Sequence, residues 1–85
     1  MKTFTYKVTD KAGIHARPAG LIAKKAKEFE STVTIEFSGK SVNARKLIAL
    51  MGMGVKYSDE LQVTIEGRDE ETAAKAMEEF FRENL

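Results

Sequence analysis

Apolar and polar residues alternate along several stretches of this chain. From Met1 to Val8, Phe4, Tyr6 and Val8 are interleaved with Thr3, Thr5 and Lys7. From Thr32 to Phe37, Val33, Ile35 and Phe37 share one face, and further on Leu61, Val63 and Ile65 alternate with Gln62, Thr64 and Glu66. A period of two is the mark of a half-buried strand. Lys40-Ser41-Val42-Asn43 follows the turn signal Ser38-Gly39 and predicts a short strand that closes a hairpin.

Elsewhere the spacing is helical. Gly20 to Phe29 places Ile22, Ala26 and Phe29 on one side and predicts an amphipathic helix that stops near Glu30-Ser31. Ala44 to Met53 predicts a short helix, with Asn43 as its cap and Gly52 and Gly54 ending it early. Leu47, Ile48, Leu50, Met51 and Met53 leave it little polar surface. Asp69 is placed to cap a last helix with the stripe Ala73, Ala76, Met77 and Phe80, and Glu70 and Glu71 favour its positive end. The order strand, helix, strand, strand, helix, strand, helix predicts an α+β fold. Strands with one wet face favour antiparallel pairing, and helices on the other face complete a two-layer sandwich. Its length of 85 residues predicts one domain, residues 1–85, with a modest core.

Composition narrows the function mostly by exclusion. A formal net charge of +1 predicts no strong attraction to nucleic acid. With no cysteine, thiol catalysis and thiolate metal sites are excluded, and a single histidine argues against structural zinc. No apolar run reaches the roughly 20 residues of a membrane span, and the start lacks the apolar stretch of a secretory leader. The expected location is therefore the cytoplasm, without membrane insertion.

Candidate chemistry concentrates in Gly13-Ile14-His15-Ala16-Arg17-Pro18-Ala19, which holds the only histidine and the only proline. Proline suits a helix's first turn, where its missing N–H costs nothing. His15 then stands at the helix mouth, where free N–H groups and about half a positive charge hold anions. A nucleophilic histidine must be neutral. Backbone N–H groups near Ala16 and Arg17, with the Arg17 guanidinium, are suited to bind a phosphoryl group on the ring. The plainer alternative is a loop histidine without a task. No carboxylate or second base stands beside His15 in the sequence, and no nucleotide-binding glycine loop is present. Those features point to a carrier served by other enzymes, with no cofactor.

Two surfaces offer docking. Arg17, Lys24 and Lys27 lie along one side of the first helix, either as a solvated basic face or as a rim for an acidic partner. A helix as short as the second cannot bury every side. Leu50 is expected in the core, and at least one of Leu47, Ile48 and Met51 on the surface, where methionine suits contact with several partners.

The histidine segment resembles the active-site signature of the HPr family, the histidine-containing phosphocarriers of the bacterial sugar phosphotransferase system. The likeness extends over the whole chain, including Gly39-Lys40-Ser41-Val42-Asn43-Ala44 before the short helix. It implies an open-faced sandwich of four antiparallel strands covered on one face by three helices. It also implies a phosphoryl group on Nδ1 of His15, assisted by Arg17, received from Enzyme I at the expense of phosphoenolpyruvate. The group would then pass to the IIA domains of sugar permeases. The family's partner surface maps onto Gly20, Lys24, Lys27, Leu47, Ile48 and Met51. Many members carry a kinase-regulated serine at the start of the short helix; this chain has Lys46 there, which cannot accept that modification. Ser41 is close by, but on the preceding strand.

Three functions follow: a phosphocarrier, acting as a small monomer; an HPr-like module that regulates by docking alone; and a stand-alone enzyme with His15 as acid–base catalyst. The last lacks partner residues.

Overall fold

A computed structural model describes all 85 residues. Its strands are β1 (Lys2–Lys7), β2 (Thr32–Phe37), β3 (Lys40–Asn43) and β4 (Glu60–Glu66), and its helices are α1 (Ala16–Ala26), α2 (Leu47–Gly52) and α3 (Glu70–Asn84). The strands form one sheet in the order β1-β4-β2-β3, with every neighbouring pair antiparallel. The expected α+β fold and its element order are present.

The register follows from the alternation. Val63 pairs with Phe4 on one side and Ile35 on the other, and Ile35 pairs with Val42, so one apolar row crosses all four strands. A slip of one residue would turn that row to solvent. Ser38 and Gly39 both have positive φ, 53° and 78°, as the two central residues of a tight hairpin turn require.

The helices cover this apolar face. Ile22 and Ala26 of α1, Leu50 of α2, and Ala73, Met77 and Phe81 of α3 are buried among Val33, Ile35, Leu61, Val63 and Ile65. Phe81 meets Phe4 and Tyr6 edge-on, with ring centroids 5.8 and 5.6 Å apart.

Two boundaries and one cap differ from the sequence expectation. The first helix ends at Ala26, because the chain tightens there: Glu28 N–H donates to Lys25 O at 3.0 Å and Phe29 N–H to Ala26 O at 3.4 Å. Phe29 still packs against the core, but from a turn. The second helix begins at Leu47 and not at Ala44. Ala44 is still held by the sheet, its N–H donating to Val33 O at 2.8 Å. Asn43 does not cap this helix; its side-chain oxygen accepts from Arg45 N–H at 2.9 Å and bends the chain ahead of it.

Asp69 occupies the N-cap of α3, but its carboxylate leaves its own helix uncapped. It accepts instead from the N–H of Ser31 at 2.9 Å, the N–H of Glu30 at 3.0 Å and the buried Ser31 hydroxyl. The Ser31 hydroxyl first, then the Glu30 N–H, hold this carboxyl below the ordinary value of 3.8. The bond ties the start of β2 to the start of α3.

Candidate functional site

His15 is the N-cap residue of α1, with an extended backbone and an exposed ring. Its carbonyl accepts from Ala19 N–H at 3.0 Å, while its side chain makes no capping bond. The N–H groups of Ala16 and Arg17 find no partner in the protein, and Pro18 has none to offer. Two polarised donors therefore open to solvent beside the imidazole, at the positive end of the helix.

This geometry is set by the loop before the helix. Gly13 has φ +68° and lies against the backbone of Val55 and Lys56; a Cβ there would come within 2.2 Å of Val55 O. The close approach lets Ile14 N–H donate to Val55 O at 3.1 Å. Ile14 is buried, and His15 follows it outward.

The end of α3 closes the other side. The main-chain oxygen of Leu85 accepts from Thr9 N–H at 2.5 Å, Asp10 N–H at 2.6 Å and the Thr9 hydroxyl at 3.0 Å. A shallow depression of about 220 Å³ results, lined by His15, Arg17, Pro18 and Leu21 together with Asp10, Glu83 and Asn84. The sequence gives no hint of carboxylates beside His15, yet the fold brings in two. Asp10 is readable after the fact, because its Oδ1 accepts from Ala12 N–H at 2.8 Å in an Asx turn. Glu83 is distant in sequence, and only packing of α3 on β1 delivers it.

Arg17 is exposed and forms no ion pair, and neither do Lys24 and Lys27. Lys24 lies on α1, and Lys27 is its C-cap. Gly20 is half-buried, with open space where a side chain would project. α1 packs against α2, where Leu50 is fully buried while Leu47, Ile48 and Met51 are 40%, 78% and 40% exposed. All three are thus surface residues, next to a helix that presents unpaired cations. Lys46 is the N-cap of α2 and is exposed. No group of three or more histidine, cysteine, aspartate or glutamate side chains is arranged to hold a metal ion. No helix is long and apolar enough to cross a membrane.

Comparison with known proteins gives this arrangement a context. Residues 2–83 match the family model described as the PTS HPr component phosphorylation site. HPr-C-His from Thermoanaerobacter tengcongensis is 36% identical, superposes with a TM-score of 0.92, and the match covers 99% of this chain and 94% of that one. The phosphocarrier protein HPr of Bacillus anthracis is 31% identical at a TM-score of 0.87, over 94% of this chain and 95% of that one. Crh, the catabolite repression protein of Bacillus subtilis, is 33% identical at a TM-score of 0.78, over 100% and 98%; it is described as an intertwined dimer with a swapped domain.

Fold and match together define a phosphocarrier component of the phosphotransferase system, a carrier and not a catalyst. The chain belongs to the HPr family.

Proposed function

We propose that His15 carries the phosphoryl group, receiving it from Enzyme I, which draws on phosphoenolpyruvate, and delivering it to sugar-specific IIA domains. The observation that carries this reading is the exposed imidazole beside two unpartnered N–H groups and an unpaired guanidinium. The lone pair of Nδ1 attacks phosphorus; the bond from phosphorus to the donor breaks, and its electron pair leaves with the donor. Ala16 N–H and Arg17 stabilise the phosphoryl oxygens through charge-assisted hydrogen bonds. The reverse displacement passes the group on, so the chain needs neither metal nor nucleotide of its own. Partners dock on Gly20, Lys24, Lys27, Leu47, Ile48 and Met51, where an apolar patch is rimmed by cations that favour acidic partners. The chain works as a single domain, residues 1–85, monomeric and in the cytoplasm. Lys46 removes regulation by serine phosphorylation at that position.

The test is incubation with Enzyme I and phosphoenolpyruvate. One acid-labile, base-stable phosphoryl group per chain, lost in His15→Ala, is expected; no incorporation refutes the reading. A second reading, a module that regulates by docking alone, is favoured by the likeness to Crh and the exposed α2 patch. Partner capture that survives His15→Ala and fails in Ile48→Asp, from a chain that takes up no phosphate, supports it.

A further inference from the structure

We propose that Asp10 and Glu83 raise the tendency of the phosphorylated chain to give its phosphoryl group away. The assignment rests on the carrier reading above. Both carboxylates line the depression that holds His15 and Arg17. Neither forms an ion pair, with Arg17 or with any other cation. Lys25, the cation on the far side of Glu83, is already engaged with Glu28 at 3.2 Å. The C-terminal end of α3, which carries partial negative charge, is held against the same loop through Leu85.

The site is therefore two-sided. The mouth of α1 and Arg17 attract a dianion; Asp10, Glu83 and the end of α3 repel it. A carrier that only attracted the group would hold it too tightly to hand on. The repulsion acts on the phosphorylated state alone, so it shifts the equilibrium of exchange towards the acceptor. No bond to phosphorus involves either carboxylate; they act through charge. The depression is open to water, so each charge is screened and changes the exchange equilibrium by about two- to fourfold.

The substitutions Asp10→Asn and Glu83→Gln remove charge and keep shape. Asparagine retains an oxygen for Ala12 N–H, and Glu83 is exposed and makes no hydrogen bond to lose. Isotope-labelled wild type and an unlabelled variant are mixed in equal amounts with limiting phosphoenolpyruvate and catalytic Enzyme I. The phosphoryl distribution is read at equilibrium by mass spectrometry at neutral pH. Each single variant is expected to hold about two- to fourfold more phosphoryl than wild type, and the double variant about five- to tenfold, with the excess shrinking in 1 M salt. Glu79→Gln, on α3 outside the depression, is expected to share evenly with wild type. Because Enzyme I speeds both directions, weakened docking does not move the end point. An even split in both single variants and in the double variant overturns the assignment while leaving the carrier reading intact. A variant that holds less phosphoryl than wild type likewise overturns the assignment alone, and failure of the wild type to load overturns both.

Discussion

Gly13→Ala is expected to damage both stability and phosphoryl uptake, although it adds one methyl group outside the reacting atoms. Gly13 has φ +68°, and an added Cβ would lie 2.2 Å from Val55 O, 2.7 Å from Lys56 Cα and 3.1 Å from Val55 C. The left-handed backbone alone costs alanine about 1 kcal/mol. All three obstructing atoms are main chain, so the clash is relieved only by moving the loop about 1 Å, which strains the Ile14–Val55 hydrogen bond, itself a contribution of about 1 kcal/mol. Loosened packing around buried Ile14 and Val55 brings the sum to about 3 kcal/mol. For a domain of this size that is a fall in Tm of about 15 °C. Gly39→Ala supplies the comparison, with φ +78° but nothing within 4 Å of an added Cβ, so only the backbone cost of about 1 kcal/mol applies. Urea melts of both variants isolate the clash, and the rate of phosphorylation by Enzyme I reports the displacement of His15. Should the two variants be equally stable, or Gly13→Ala accept phosphate at the wild-type rate, the claim that this close approach seats His15 is wrong.

Ile48→Asp replaces a side chain that is 78% exposed, so its unfolding free energy from urea melts should stay within about 0.5 kcal/mol of wild type while transfer to a IIA domain slows markedly; an unchanged transfer rate would remove α2 from the docking surface. Phe81→Ala deletes a fully buried ring with its two edge contacts and should cost about 4 kcal/mol by thermal unfolding, a loss below 1 kcal/mol contradicting the packing described. Asp69 is held below its ordinary pKa in the folded chain, so its contribution is present above about pH 4 and is lost as the pH falls through the folded value. Asp69→Asn should therefore be less stable at neutral pH and show a flatter acid limb in urea melts from pH 7 to 2, and parallel limbs would rule the linkage out.

Particular residues show what could be read in advance and what could not. Strand positions such as Val33, Ile35, Val63 and Ile65 declare themselves because period two admits one solution when a single face is buried. Exposure of α2 also follows from local arithmetic, since so short a helix has more apolar residues than inward positions. Phe29 is a different case: it is apolar at helical spacing and does touch the core, yet the chain has left the helix before reaching it. Spacing records burial and not the element that delivers it. Asp69 carries the right chemistry for a cap, but its carboxylate is taken by donors of Ser31 and Glu30 across the fold, and no local pattern announces that competition. The same holds for the candidate site. His15, Arg17 and Pro18 form a local motif at a helix start and are legible together, whereas Glu83 reaches the depression only through the docking of α3.

The strand order has a consequence for how the chain is made. β1 leaves the ribosome first, but its only neighbour in the sheet is β4, which begins at residue 60. The hairpin of β2 and β3 can close as soon as it is synthesised, while β1 must wait with its edge unsatisfied until β4 has been translated. A nascent fragment ending before β4 thus holds the histidine motif without the sheet that fixes it, and completion of the central strand is the event that turns a translated motif into a working one.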